Sequence, residues 1–145
     1  MWTSMRGAAR GLQDIADAAQ SIEGIDAAVV FVLDGASGLL EVRGAAGIDG
    51  PALDALAAAA RNPEHRIPRA LASTGPEWDV LPMNPGGPRL RSHLPLRTGA
   101  ASTGVLALAH DAPVAADARQ ALEILATEAA AESQAPQRNP GTATA

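Results

Sequence analysis

Cysteine is absent from this 145-residue chain. That excludes disulfides, thiolate metal sites and a cysteine nucleophile together. Lysine is absent too, and all eleven basic residues are arginine. GC-rich coding accounts for such a bias, yet Arg89, Arg91 and Arg97 fall close together, and guanidinium forks suit bidentate anion binding. Aromatic bulk is scarce: one Phe, two Trp and no Tyr. A core must therefore be built from Ala, Val, Leu and Ile. The formal net charge is −5 and no basic stripe is present, which argues against nucleic acid and against an anionic membrane surface. The start, "MWTSMRGAARG", lacks the apolar run of a signal peptide, and no run is long enough to span a bilayer. A soluble cytoplasmic protein is expected, with one domain's worth of core.

What is present reads as alternating helices and hairpins. From Trp2 to Ile22, Trp2, Met5, Leu12, Ile15 and Ile22 fall at steps of three and four, with alanines between them, and Gly24 is a stop. "IDAAVVFVLDG" is a β-branched run that predicts a strand buried on both faces, turning at Asp34-Gly35. Leu39 to Ala45, "LLEVRGA", pairs back as the second arm of a hairpin. "DGPALDALAAAARN" predicts a helix capped by Asp49, with Pro51 in its first turn and Asn62-Pro63 ending it. Residues from Pro63 to Pro88 are rich in proline and glycine, with a brief helical turn around Pro68 to Ala72. "RLRSHLPLR" and "STGVLALAHD" form a second hairpin. The closing helix, "VAADARQALEILATEAAAE", places Ala118, Leu122, Leu125 and Ala129 on one face. Hairpins with helices at the chain ends predict an α+β domain, with one twisted antiparallel sheet, terminal helices packed on one face and a loop-rich cap on the other.

This order, and above all "LPLRTGAASTGVLALAHD" followed by the helix from Ala116 to Glu132, resembles a GAF domain. "AVVFVLDGASGLLEVRGAAG" is similar to that family's first hairpin. The resemblance runs over roughly Gly11 to Glu132, so residues 1–132 are expected to form one GAF-like domain and 133–145 a disordered tail. PAS domains share a related sheet; the long N-terminal helix and the "GVLALAH" run favour GAF. The resemblance implies a sensing or dimerising module that holds a small molecule between sheet and cap. Without cysteine, covalent bilin attachment and thiolate-based methionine sulfoxide reduction are both excluded. The motif that marks cyclic-nucleotide-binding members is missing.

Candidate site residues then follow from strand alternation. Leu94 and Leu96 share one face of their strand, so His93 faces the cap. An imidazole there donates to a ligand, ligates haem iron, or satisfies a loop carbonyl. Arg91 shares that facing and offers a positive edge to a carboxylate or phosphate, unless it is solvated or paired with Asp79. Trp78 and Met83 either stack on a planar ligand or close the domain's own core. The stiff stretch "PMNPGGP" cannot pair as a further strand and is expected to leave a gap over the cap face. His65 and His110 show no metal-ligand spacing, and no serine sits in a nucleophile elbow. His110 reads as part of the turn into the last helix. A non-enzyme is expected, with no metal and no cofactor named by the sequence. The partners expected are an unidentified small molecule, a separate effector that reads the signal, and a second copy docked through Trp2, Met5, Leu12 and Ile15 of the N-terminal helix. The alternative is a ligand-free dimerisation module.

Overall fold

The computed structural model describes residues 11–80, 90–99 and 101–134, with the backbone alone at Gln134. Helix α1 (Leu12–Gln20) precedes the hairpin of β1 (Ala27–Leu33) and β2 (Leu40–Ala46). Helix α2 (Gly50–Ala60), the short α3 (Arg66–Arg69) and a 3-10 turn (Ala70–Ala72) follow. The second hairpin is β3 (Leu90–Thr98) with β4 (Ala101–Ala109), and α4 (Ala116–Gln134) closes the fold. The sheet order is β2-β1-β4-β3 and every pairing is antiparallel. The two hairpins are thus joined along their first and last strands, with Val30 opposite Leu106.

Each sheet face carries its own core. On one, Val30, Val32, Leu94, Leu96, Leu106 and Leu108 pack against Ile15, Ala16 and Ala19 of α1 and Leu122, Leu125, Ala126 and Ala129 of α4. On the other, Val29, Phe31, Val105 and Ala107 meet Leu56 and Ala60 of α2, Ile67 of α3 and Ala70. Alternation along β1 sends successive side chains to opposite faces, and because both faces are covered the strand reads as one apolar run, as expected from sequence. Asp49 caps α2, its Oδ1 accepting from Ala52 N at 2.9 Å.

Close approach at two glycines lets backbones meet, one between helix and sheet and one between neighbouring strands. A Cβ on Gly44 would lie 2.6 Å from the carbonyl oxygen of Leu12, so α1 rests directly on the β2 backbone. Gln13 then latches the two: its Nε2 donates to Ala45 O at 2.7 Å and its Oε1 accepts from Ala45 N at 3.1 Å. A Cβ on Gly104 would collide with the carbonyl oxygen of Phe31 across the central strand pair.

Some expectations change. Ile15 is fully buried within this one chain and Leu12 packs against the same core. Ile15 therefore has no surface to offer a second copy, because its burial is already used by the sheet. Trp2 and Met5 lie outside the described residues. The last helix extends two residues past Glu132, and Ser133 is buried with its Oγ 2.8 Å from the Thr103 hydroxyl. Among the described residues, no helix is long and apolar enough to cross a membrane.

Candidate functional site

The Pro63-to-Val80 segment, rich in turn residues, forms the edge of the cap. His65 caps α3 by accepting from Ile67 N at its Nδ1, 3.2 Å away. The chain then turns at Ser73, whose Oγ donates to Gly75 O at 2.6 Å, and reaches the free edge of β3. There Glu77 and His93 exchange backbone bonds, Glu77 N to His93 O at 2.8 Å and His93 N to Glu77 O at 2.9 Å. Residues paired in this way carry their side chains on the same face. Glu77 and His93 therefore share the cap face, where an open cleft of about 580 Å³ is lined by Arg66, Arg69, Ala72, Ser73 and Glu77.

His93 faces the cap as expected, opposite Ala107, and it is 1% exposed. Its Nδ1 is buried without a hydrogen-bond partner, and so is the Nε of Arg66. Burial first, and then the charges of Arg66, His65 and His110, push the His93 pKa down from 6.5 to about 4. The ring is neutral at neutral pH. One of its nitrogens then carries hydrogen and the other a lone pair. Neither Arg66 nor Arg69 forms an ion pair with a described residue, and the Glu77 carboxylate in the same cleft has none either.

The other expected site residues are placed elsewhere. Strand alternation turns Trp78 away from Glu77 to the helix face, where it packs against the α1/α4 core and Arg119 lies over its ring at 5.0 Å. Trp78 is therefore no part of the cap. Asp79 holds the start of α4, its Oδ1 accepting from Val114 N at 3.2 Å and its Oδ2 from Arg119 Nη2 at 2.6 Å. Its φ of 58° is in the left-handed region, where aspartate is better tolerated than most residues. The Asp79 carboxylate pairs with Arg119, not with Arg91. A bulge between Leu90 and Ser92 takes Arg91 out of regular alternation, and its Nη1 donates to the Asp111 carbonyl at the sheet's end. Met83 and the rest of the Pro82-to-Pro88 stretch, with Arg89 after it, lie outside the described residues.

The sequence reading missed a buried polar chain behind Asp79. Asp79 N donates to Ser92 Oγ at 3.1 Å, Ser92 Oγ lies 2.7 Å from His110 Nε2, and His110 Nδ1 lies 2.8 Å from Ala112 O. The carbonyl of Ala112 requires a proton on Nδ1; in the neutral tautomer Nε2 then accepts from the serine. Ser92 and His110 are 0% and 1% exposed, and the pair ties the edge segment to the turn before α4. Its signal was faint: an even-numbered polar residue, Ser92, on a strand whose Leu94 and Leu96 face the helices. Among the described residues, no group of three or more His, Cys, Asp or Glu side chains is arranged to hold a metal ion. A second groove, about 560 Å³, lies between the α1–β1 turn and the start of α4, lined by Ile22, Ile25, Pro113, Val114 and Ala118 among others. Among the described residues, none of the buried unpartnered polar atoms belongs to its lining.

No protein-family model matches the chain, and no curated protein matches it in sequence. Solved structures do resemble it. The GAF domain of a phosphoenolpyruvate-protein phosphotransferase from Coxiella burnetii superposes with a TM-score of 0.71 at 15% identity, over 96% of this chain and 92% of that one. The GAF-B domain of DevS from Mycobacterium smegmatis gives 0.64 at 23% identity, over 91% and 94%. A type II free methionine-R-sulfoxide reductase from Thermoplasma acidophilum gives 0.61 at 14% identity, over 89% and 94%. With helices on one face of a four-stranded antiparallel sheet and a cap on the other, the chain has a GAF-like fold.

Proposed function

We propose that this chain is a cytoplasmic GAF-type sensory module that binds a small molecule in the cap-face cleft and relays its presence to the closing helix α4. One observation carries the reading. Arg66, whose Nε is buried without a partner, lines an open cleft where the cap meets the sheet, and the buried, unpartnered Nδ1 of His93 belongs to the residue paired with the lining residue Glu77. Buried polar atoms are nearly always satisfied, and an orphan costs about 1–3 kcal/mol. A ligand that supplies their partners offsets that cost. The likeness to GAF domains supports a module of this type.

The relay uses the edge segment. Glu77 belongs to the cleft, while Trp78 and Asp79, the next two residues, grip Arg119 and Val114 at the start of α4. A ligand that shifts Glu77 against His93 pulls on the same short backbone that holds α4, and a partner protein reads the helix. The chemistry is non-catalytic in this reading. The Ser92–His110 contact is sealed from solvent on the other face of the sheet, and cysteine chemistry is absent.

Native mass spectrometry of protein taken directly from its host tests the proposal. A bound small molecule is expected, lost on His93→Ala. Ligand-free protein whose unfolding temperature ignores a metabolite panel overturns it. A second reading, assembly through a homodimer, draws on Ile124, which stands 54% exposed on the outer side of α4. Ile124→Glu should leave the fold intact and convert a dimer to a monomer by light scattering. An unchanged mass would remove this surface from any interface.

A further inference from the structure

The charge around the cleft runs against that of the protein. The chain is acidic at −5, yet the cleft is lined by two guanidiniums, Arg66 and Arg69, against one carboxylate, Glu77. Arg97 adds a third positive group behind the wall, its Nη1 donating to the carbonyl of the lining residue Ser73 at 3.2 Å. Concave sites of one sign surrounded by the other concentrate counter-ions. The buried Arg66 Nε is a donor with no acceptor. Since guanidinium has no acceptor capacity at all, only an incoming oxygen or a comparable acceptor satisfies it.

Resting on the small-molecule reading above, we propose that the ligand presents an oxyanion, a carboxylate or phosphoryl group, to Arg66 and Arg69. The buried His93 ring, on the same sheet face as the lining residue Glu77, is neutral and adds no charge to the site. Glu77 confines the anion to the arginine side of the cleft, because a carboxylate repels it.

The test is thermal unfolding of the full chain, titrated with sodium phosphate and separately with sodium malonate, at ionic strength held constant with sodium chloride. A saturable rise in unfolding temperature beyond the chloride control is expected with at least one of them, and which one separates phosphoryl from carboxylate recognition. Arg66→Met keeps the aliphatic stem and should weaken the apparent affinity about tenfold or more, the loss typical of a charge-assisted bond. Glu77→Gln should hold or tighten it. If Arg66→Met does not fold, Arg69→Met on the exposed neighbour carries the same expectation. Absence of a saturable response to both anions overturns the assignment, as does a wild-type response in the arginine variants or weakening by Glu77→Gln. Recovery of a neutral ligand from host-purified protein also overturns the oxyanion, yet leaves the binding module standing.

Discussion

Acid should unfold this protein partly through one residue. The His93 ring is buried at the junction of cap and sheet, and its pKa is pushed down to about 4 by burial and then by Arg66, His65 and His110. In the unfolded chain it protonates near 6.5. Between those values the unfolded state binds a proton that the folded state refuses, so the unfolded state holds more protons and stability falls as pH falls. The loss begins near pH 6.5, accumulates down to about pH 4, and stops growing below that for this group. At 1.36 kcal/mol per pKa unit the difference amounts to about 3 kcal/mol, a large share of the 5–15 kcal/mol typical of a domain. Urea denaturation followed by far-UV circular dichroism, at half-unit steps from pH 7 to 4, measures it. Carboxylates also titrate in the lower part of that range, so the comparison is with His93→Leu, which keeps every carboxylate. Stability of the variant relative to wild type should rise by about 3 kcal/mol from pH 7 to pH 4, and His93→Gln should track the leucine variant. Parallel pH profiles for wild type and both variants would refute the argument.

Three further perturbations probe how the layers are joined. Gly104→Ala forces a methyl group into the Phe31 carbonyl and should cost about 1–3 kcal/mol in urea denaturation; a neutral result would mean that β1 and β4 separate more easily than their pairing indicates. Gln13→Ala removes both bonds that hold α1 to Ala45 and should cost about 1 kcal/mol, with faster amide exchange at Ala45. Asp79→Ala frees Val114 N and Arg119 together. Since that pair is partly exposed, about 1–2 kcal/mol is expected, with exchange accelerated in the first turn of α4. Slow exchange there would break the proposed link between cleft and helix.

Most of the architecture was legible because it rests on local chemistry. The Asp49 cap, the Asp34-Gly35 turn, the run of β-branched residues in β1 and the Leu122, Leu125 and Ala129 stripe each act within a few residues of themselves. The facing of His93 was legible for the same reason, since period-2 alternation fixes it once Leu94 and Leu96 are assigned inward. The other side of the site was hidden because it depends on pairings between segments distant in sequence. Nothing in "GPEWDV" alternates strongly enough to announce a strand, yet two backbone bonds from Glu77 to His93 and one from Val80 to Arg91 dock it on the sheet edge. That docking decides which way Trp78 points, and so moves its indole away from the cap to the opposite face. The part of Arg66 and Arg69 was hidden for a similar reason, since only the edge pairing brings Glu77 beside the short helix that carries them. The same six residues that defeat a local reading thus touch the cleft through Glu77 and the closing helix through Asp79. An edge segment this short, held to β3 by three backbone bonds and joined to both faces, is the element through which the proposed relay would act.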